Sequence, residues 1–385
     1  MTARTHCRVC QSPFFSEPLL LLENMPCAAQ NFPDLSNVES DSGQDLELCQ
    51  CRGCGLVQLS NSSVGYHKDV IRASAFSEEM QDFRIDQFNK FVTDHNLQGK
   101  KVLEVGCGKG EYLSLIEKAG AEAYGVEHLA ESVEYCQAKN LKVSQGYLTD
   151  SSEAYNSELS SGPFSAFFIM NFFEHLPDPN AMLDAITNNL IDYAIGLIEV
   201  PNFDMILEQS LFSEFINDHL FYFTEESLRS TLNYNGFEVI QCHSIWHDYI
   251  LSATVRRKQP KNLTFLSTHQ EKITREIHQF LDKHDGKKIA VWGAGHQSLA
   301  VLSLTGMSSR IESVFDSAPF KQDKFTPATH IPIKNPDELD EEVIEVIIIM
   351  AASYSDEVFR TIRTKWGTKF TVAILRDYGL EIVSD

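Results

Sequence analysis

Positive charge is what this chain has least of. It carries 32 lysines and arginines against 54 aspartates and glutamates, a formal net charge of −22. Such a chain repels nucleic acid and anionic membranes unless it holds a local basic patch. Only Arg256, Arg257, Lys258 and Lys261 cluster, and beside Pro260 they read as a solvated linker. Neither nucleic acid nor a membrane is therefore an expected partner. No apolar run approaches the ~20 residues that span a bilayer, and residues 19–22 are far too short a patch. Residues 1–10 lack the apolar core of a signal peptide, so a cytoplasmic location is expected. Internal repeats and low-complexity tracts are also missing. What remains is ordinary globular material: 385 residues, 43% hydrophobic and 22% charged, enough for two or three domains at roughly 100–200 residues each.

The N-terminal 65 residues are rich in turns, with short apolar runs. Residues 76–95 predict a helix with Phe83, Phe88, Phe91 and Val92 on one stripe. From Lys100 the pattern becomes strand, turn, helix. Strands are expected at 101–105, 123–127, 164–171 and 194–200, and helices at 111–119, 132–139 and 180–190. That alternation predicts a parallel sheet covered on both faces. Residues 254–261 are polar and basic and read as a boundary. Beyond them a helix at 269–284 leads into a second α/β unit, with strands at 288–292, 311–315, 343–350 and 370–375. The expected domains are 1–65, 66–255 and 262–385.

There are nine cysteines, and in a reducing compartment they are not disulfides. Four have the spacing of metal ligands: Cys7 and Cys10 in one Cys-x-x-Cys turn, Cys51 and Cys54 in another. Two such knuckles supply four soft thiolates for tetrahedral zinc. A closed four-cysteine site leaves no open position for catalysis, so the expected Zn²⁺ is structural. Cys27 and Cys49 are left as non-ligands.

Val102-Leu-Glu-Val-Gly-Cys-Gly-Lys-Gly110 is the most informative stretch. An apolar strand runs into a turn whose glycines, Gly106, Gly108 and Gly110, let the backbone approach a ligand. Glu104 lies on the strand, and Glu127 ends the next strand 21 residues beyond Gly106. That is the separation at which an acidic side chain meets ribose hydroxyls. The Gly-x-Gly-x-x-Gly spacing that places pyrophosphate on a helix N-terminus is absent. The second unit has half of such a fingerprint, Gly293-Ala-Gly295 with Asp316, but Ser298 stands where its third glycine would be. It reads as a Rossmann-like substrate or packing domain.

Glu-Val-Gly-Cys-Gly-x-Gly resembles motif I of the class I S-adenosylmethionine (SAM) dependent methyltransferases. Residues 167–171 followed by Phe-Phe-Glu-His-Leu-Pro-Asp-Pro179 look like the fourth strand and loop of that fold. The resemblance implies SAM as cofactor, held by Glu104, Gly106, Cys107, Gly108, Gly110, Glu127 and His128. Gly146 and Tyr147 would border the adenine, and Asn171 and Glu174 the methionine end.

Further segments resemble one subfamily, the sugar C-methyltransferases that act on nucleotide-linked 4-keto-deoxysugars. They are the four-cysteine module, Ile198-Glu-Val-Pro-Asn202, Asp218-His-Leu-Phe-Tyr-Phe-Thr224, Val291-Trp-Gly-Ala-Gly295, and Thr326-Pro-Ala-Thr-His-Ile-Pro-Ile333 with Asn335-Pro336. The resemblance implies α/β architecture throughout: a small zinc-binding module, a class I methyltransferase domain and a C-terminal Rossmann-like domain. It implies that the last two form the cleft for a nucleotide-linked acceptor, with His296 and Lys321 near its phosphates.

A carbon beside a ketone becomes nucleophilic only after losing a proton, which needs a base near neutrality and a group that stabilises the enolate. Histidine suits the first task. His219 is the candidate base, Asp218 beside it the candidate orienting carboxylate, His175 a second proton carrier or keto-oxygen ligand, and Tyr222 a nearby hydroxyl. A capping or packing role is the alternative for each histidine. The chain also departs from the subfamily: Val70 or Arg72 and Ile216 stand where it has tyrosines, and a Gly-Gly-Ser stretch is replaced by residues 246–252. Methylation of oxygen, nitrogen or carbon on another small molecule is the competing expectation. A zinc protein that only senses SAM is the third.

Overall fold

The computed structural model describes residues 4–30, 32–68, 77–148 and 159–383. Val70 and Arg72 fall outside them. The chain divides into two compact units, Met1–Gln259 and Pro260–Asp385.

The first unit is built on a seven-stranded sheet. Its strands run, edge to edge, Phe237–Ile245, Ile250–Arg257, Leu190–Pro201, Phe164–Met170, Lys101–Val105, Glu122–Glu127 and Lys142–Gln145. The last five are mutually parallel and the first two attach antiparallel. The Phe164–Met170 strand shows why its sequence is continuously apolar. Phe167 and Ile169 face one core cluster, with Leu103, Val105 and Ile198. Ala166, Phe168 and Met170 face the other, with Phe88, Leu113 and Ile116. A strand covered on both faces cannot alternate with polar residues. Helices start where side chains satisfy their free N–H groups: Asp178 accepts from Ala181 N ahead of Pro179–Asn188, and Thr224 with Ser227 forms a capping box ahead of Glu225–Tyr234.

The strand Ile250–Arg257 runs through what the composition suggested was a linker. Its basic residues are engaged: Arg257 donates to Leu190 O at 2.6 Å, and Arg256 lies 3.7 Å from Glu238. The turn into the second unit therefore begins later than its charges suggested.

The N-terminal segment forms an antiparallel sheet of Leu20–Met25, Gln44–Gln50 and Val57–Leu59. Its fourth strand is Phe221–Tyr222, from the far end of the same unit, paired Val57 to Tyr222. Residues 1–65 thus share a sheet with the segment that follows His219.

The second unit has a seven-stranded sheet with Ile289–Trp292 at its centre. Ser313–Phe315 and Pro332–Lys334 lie on one side, and Val346–Ile349 and Thr371–Leu375 on the other, all parallel. Short antiparallel strands, Lys324–Phe325 and Leu380–Val383, close the two edges. Ile289 and Val291 pack to one cluster, Ala290 and Trp292 to the other.

Candidate active site

The glycine turn after Lys101–Val105 lies at the point where the sheet's strand order reverses, with Phe164–Met170 on one side and Glu122–Glu127 on the other. Ligands of open α/β sheets bind in the crevice at such a point. A cleft of about 230 Å³ lies there. Gly106 takes φ +68°, and a Cβ on it would meet the Phe172 ring at 3.2 Å. A Cβ on Gly108 would meet nothing nearer than Glu111 Oε2 at 3.7 Å, so it would occupy the cleft itself. The backbone is bare on the side where a ligand must approach.

Glu127 is fixed by the backbone around it. Its Oε2 accepts from Gly108 N at 2.8 Å and its Oε1 from Leu129 N at 3.0 Å. Each carboxylate oxygen has a further lone pair, so the fixed carboxylate offers two free acceptor sites. Tyr147 makes edge contacts with His67 and His128, at ring separations of 6.3 and 6.1 Å, and Lys68 Nζ lies 5.0 Å from its ring centre.

Among the expected cofactor residues, Gly106, Gly108, Glu127, His128, Gly146, Tyr147 and Asn171 line this cleft. Glu104 is fully buried on its strand. The Cys107 side chain is turned into the core towards Gly125, so its contribution to the turn is backbone alone. Gly110 caps the helix Glu111–Lys118 with φ +77° and borders a different depression. Lys68, Ser132 and Met182, unexpected from the sequence, also line the cleft. They sit on loops and helices where no local pattern marks them.

His175 follows Asn171 by four residues, at the end of the turn Phe173–His175, and here the second group assembles. His175 and His219 meet edge to face with ring centroids 4.7 Å apart. His175 Nδ1 donates to the backbone carbonyl of Asp218 at 2.8 Å, so its Nε2 carries the lone pair. That nitrogen lies 3.9 Å from Glu174 Oε1. Glu174, expected beside the cofactor, groups with these histidines rather than lining the cleft. Burial lowers the pKa of both imidazoles, and His219, also disfavoured by the nearby His175, is pushed down to about 3. Both rings are therefore neutral at pH 7.

Two other expected partners sit differently. The Asp218 carboxylate accepts from the Tyr66 hydroxyl at 2.7 Å and from Ala29 N at 3.0 Å, so it is the Asp218 carbonyl that orients a histidine, and the histidine is His175. The Tyr222 hydroxyl accepts from Ile216 N at 3.0 Å and donates to Ile216 O at 3.2 Å, within an aromatic group of Phe203 and Phe215. The structure brings Tyr222 to the Ile216 backbone.

Behind Asn171, whose N–H donates to Glu199 O, a charge pair is sealed in the core. Arg84 and Glu199 have fully buried side chains, and Gln87 and Ser252 also donate to the carboxylate. This clamps the helix Glu78–Asp94 to the sheet.

The four cysteines converge. Cys7 Sγ is 3.7 Å from Cys54 Sγ, and Cys10 Sγ 3.4 Å from Cys51 Sγ. Four sulfurs about 2.3 Å from a central ion are separated by about 3.8 Å, so the cluster fits zinc. N–H donors already face it: Val9 N and Gln58 Nε2 to Cys7, Gly53 N and Cys54 N to Cys51. Cys7, sharing a hydrogen with Cys54 and helped by those donors, is drawn down to about 4 against the opposing effect of burial.

In the second unit, Asp316 occupies the acidic position of the half-fingerprint. It accepts from Ala294 N at 2.7 Å, Ala318 N at 2.9 Å and Lys321 Nζ at 2.8 Å. Lys321, expected near a phosphate, is thereby paired within its own unit. A cavity of about 640 Å³ opens at the carboxyl ends of the parallel strands, lined by Gln297, Ser298, Met350 and Arg376.

Comparisons with known proteins bear on the enzyme class. Residues 76–242 match a methyltransferase domain, and residues 254–374 match the C-methyltransferase C-terminal domain. The chain is similar to the C-methyltransferase NovU of Streptomyces niveus, 22% identical over 91% of this chain and 90% of that protein. It is also similar to the ubiquinone biosynthesis O-methyltransferase of Methylococcus capsulatus, 34% identical over 26% of this chain and 42% of that one. The chain thus spans less than half the length of this second relative. Among solved structures, a SAM-dependent methyltransferase from Clostridium acetobutylicum aligns over 50% of this chain and 96% of its own, at 14% identity and a TM-score of 0.38. The chain is an S-adenosylmethionine-dependent methyltransferase of the class I fold whose C-terminal unit is a C-methyltransferase C-terminal domain.

Proposed function

We propose that the enzyme methylates carbon, at the position beside the ketone of a nucleotide-linked 4-keto-deoxysugar. The observation that carries this reading is the contacting pair of neutral histidines, one of them, His175, four residues after Asn171 of the cofactor cleft. SAM, when bound, supplies an electrophilic methyl group on a sulfonium. Gly106 and Gly108 give it backbone room, and Glu127 takes its ribose. His219, held unprotonated by burial, removes the α-proton. Its low basicity is offset as the reaction proceeds, because the enolate that forms beside it favours the imidazolium. His175 presents Nε2 as an acceptor, which suits relaying the proton away and does not suit donating to a keto oxygen. The similarity to NovU along nearly the whole chain, and the C-methyltransferase domain in the second unit, support a carbon acceptor. The cavity at the carboxyl ends of the second unit's strands supports a nucleotide-bearing one.

The four cysteines hold zinc in this reading. Closed by four sulfurs, the ion supplies no chemistry to the reaction; Cys7, Cys10, Cys51 and Cys54 fix the knuckles that frame the N-terminal sheet. The test is methyl transfer from ¹³C-methyl-labelled SAM to a thymidine-diphosphate-linked 4-keto-6-deoxysugar. A new carbon–carbon bond in the product supports the reading. Turnover that labels only oxygen or nitrogen of another small molecule favours the second reading, which Ile216 motivates by standing where the sugar C-methyltransferases have tyrosine.

A further inference from the structure

Asp218 is gripped at both ends. Its backbone carbonyl receives His175 Nδ1–H at 2.8 Å. Its carboxylate receives the Tyr66 hydroxyl at 2.7 Å and the Ala29 N–H at 3.0 Å. Ala29 and Gln30 also donate to the Tyr66 oxygen, at 3.0 and 3.4 Å. The neighbouring Asn217 side chain donates to Cys27 O at 2.9 Å. Leu220, two residues beyond Asp218, donates its N–H to Glu174 O at 2.9 Å, and its own carbonyl receives Leu59 N–H at 3.0 Å. The segment carrying His219 is therefore suspended between the histidine turn and the N-terminal sheet, and one phenol sits at the junction.

Asp218 is 2% exposed, and among the described residues no lysine or arginine forms an ion pair with it. Two neutral donors stabilise its charge, so removing either leaves a buried carboxylate short of hydrogen bonds. Such a group moves towards water and takes its backbone with it. That backbone is the acceptor that fixes the tautomer of His175.

We propose that Tyr66 is a positioning residue for the histidine pair: by holding the Asp218 carboxylate it fixes the carbonyl that receives His175 Nδ1–H, and so leaves Nε2 of His175 as the nitrogen that accepts a proton. This rests on the reading of His175 and His219 as the proton-transfer pair. Tyr66 remains a donor throughout the working range, because burial and the Asp218 charge push its phenol up to about 12. The subsidiary consequence is that the four-cysteine module takes part in building the acceptor side of the site.

The test reads the tautomer directly. The His175 Nδ1 proton is observed by ¹⁵N-resolved NMR of the full-length enzyme and assigned by its loss in His175→Gln. Tyr66→Phe is expected to speed its exchange with water at least tenfold and to lower kcat at least tenfold, while calorimetry shows SAM affinity within twofold of wild type. Asp218→Asn leaves the phenol and the carbonyl in place but turns an amide N–H₂ towards one of the two donors. It is expected to speed the same exchange at least threefold, and carries the test if Tyr66→Phe does not fold. Unchanged exchange in the folded variants overturns the proposal, even if kcat falls, because Tyr66 would then only staple a loop. If the wild-type enzyme turns over no keto sugar, the acceptor assignment fails, yet the exchange measurement still decides the role of Tyr66.

Discussion

Replacing Glu127 by glutamine is the most informative single change in the cofactor cleft. The carboxylate has four acceptor sites; Gly108 N–H and Leu129 N–H take one on each oxygen, which leaves one on each for the ribose. Glutamine keeps one oxygen and turns the other into an N–H₂ donor. That donor faces either Gly108 N–H or Leu129 N–H at hydrogen-bond distance, so one backbone contact becomes a clash of donors. One ribose bond to a charged acceptor is lost, worth about 1.5–3 kcal/mol, and the other weakens to a neutral bond. The sum is roughly 2–4 kcal/mol, or about a 30- to 700-fold rise in Kd. Isothermal calorimetry of SAM binding to the purified variant measures it. Affinity within twofold of wild type would show that Glu127 holds only its own turn, and the assignment of the ribose would be withdrawn.

Glu199→Ala leaves the Arg84 guanidinium fully buried without its carboxylate, and chemical denaturation should show a loss of about 3–5 kcal/mol, with no loss if the pair is dispensable. Metal analysis should find one zinc per chain in the wild type and none in Cys51→Ser; a metal-free wild type refutes the zinc assignment. The low pKa of His219 makes two pH predictions. The base form persists through neutral and mildly acidic pH, so kcat/KM for the keto acceptor should show no acid limb near 6.5, where a free histidine would put one. The unfolded state binds a proton below about 6.5 that the folded state refuses. Stability should therefore fall as pH drops from 6.5 towards 3, with a slope about 1.4 kcal/mol per pH unit steeper than in His219→Gln. Equal slopes would place the protonation of His219 near its ordinary value.

What the sequence shows well is local. The five parallel strands of the first sheet are nearly all visible as apolar runs, because burial on both faces leaves no alternation to confuse. The glycine turn, Glu127 and the two Cys-x-x-Cys knuckles are visible because a handful of adjacent residues carry the whole signal. The hairpin is obscured because Phe237–Ile245 carries exposed polar side chains and Ile250–Arg257 ends in Arg256 and Arg257, the composition of a linker. Lys142–Gln145 is hidden for the same reason, being short, at the edge and mostly exposed. Contacts between distant segments are not visible at all. Tyr66 and Asp218 are 152 residues apart, Arg84 and Glu199 115. The direction of the Asp218 carboxylate, which adjacency in sequence assigned to His219, is decided by Tyr66 and Ala29 from across the fold.

The central claim, carbon activation by a histidine base, is tested most directly by α-proton exchange. A thymidine-diphosphate-linked 4-keto-6-deoxysugar is incubated with the enzyme in deuterated water, with S-adenosylhomocysteine present so that no methyl group can be transferred. Exchange of the proton beside the ketone is followed by NMR. The account predicts enzyme-dependent exchange with wild type and its loss in His219→Ala, with cofactor binding retained. Exchange that continues unchanged in His219→Ala, or no exchange in the wild type while methyl transfer proceeds, would contradict it.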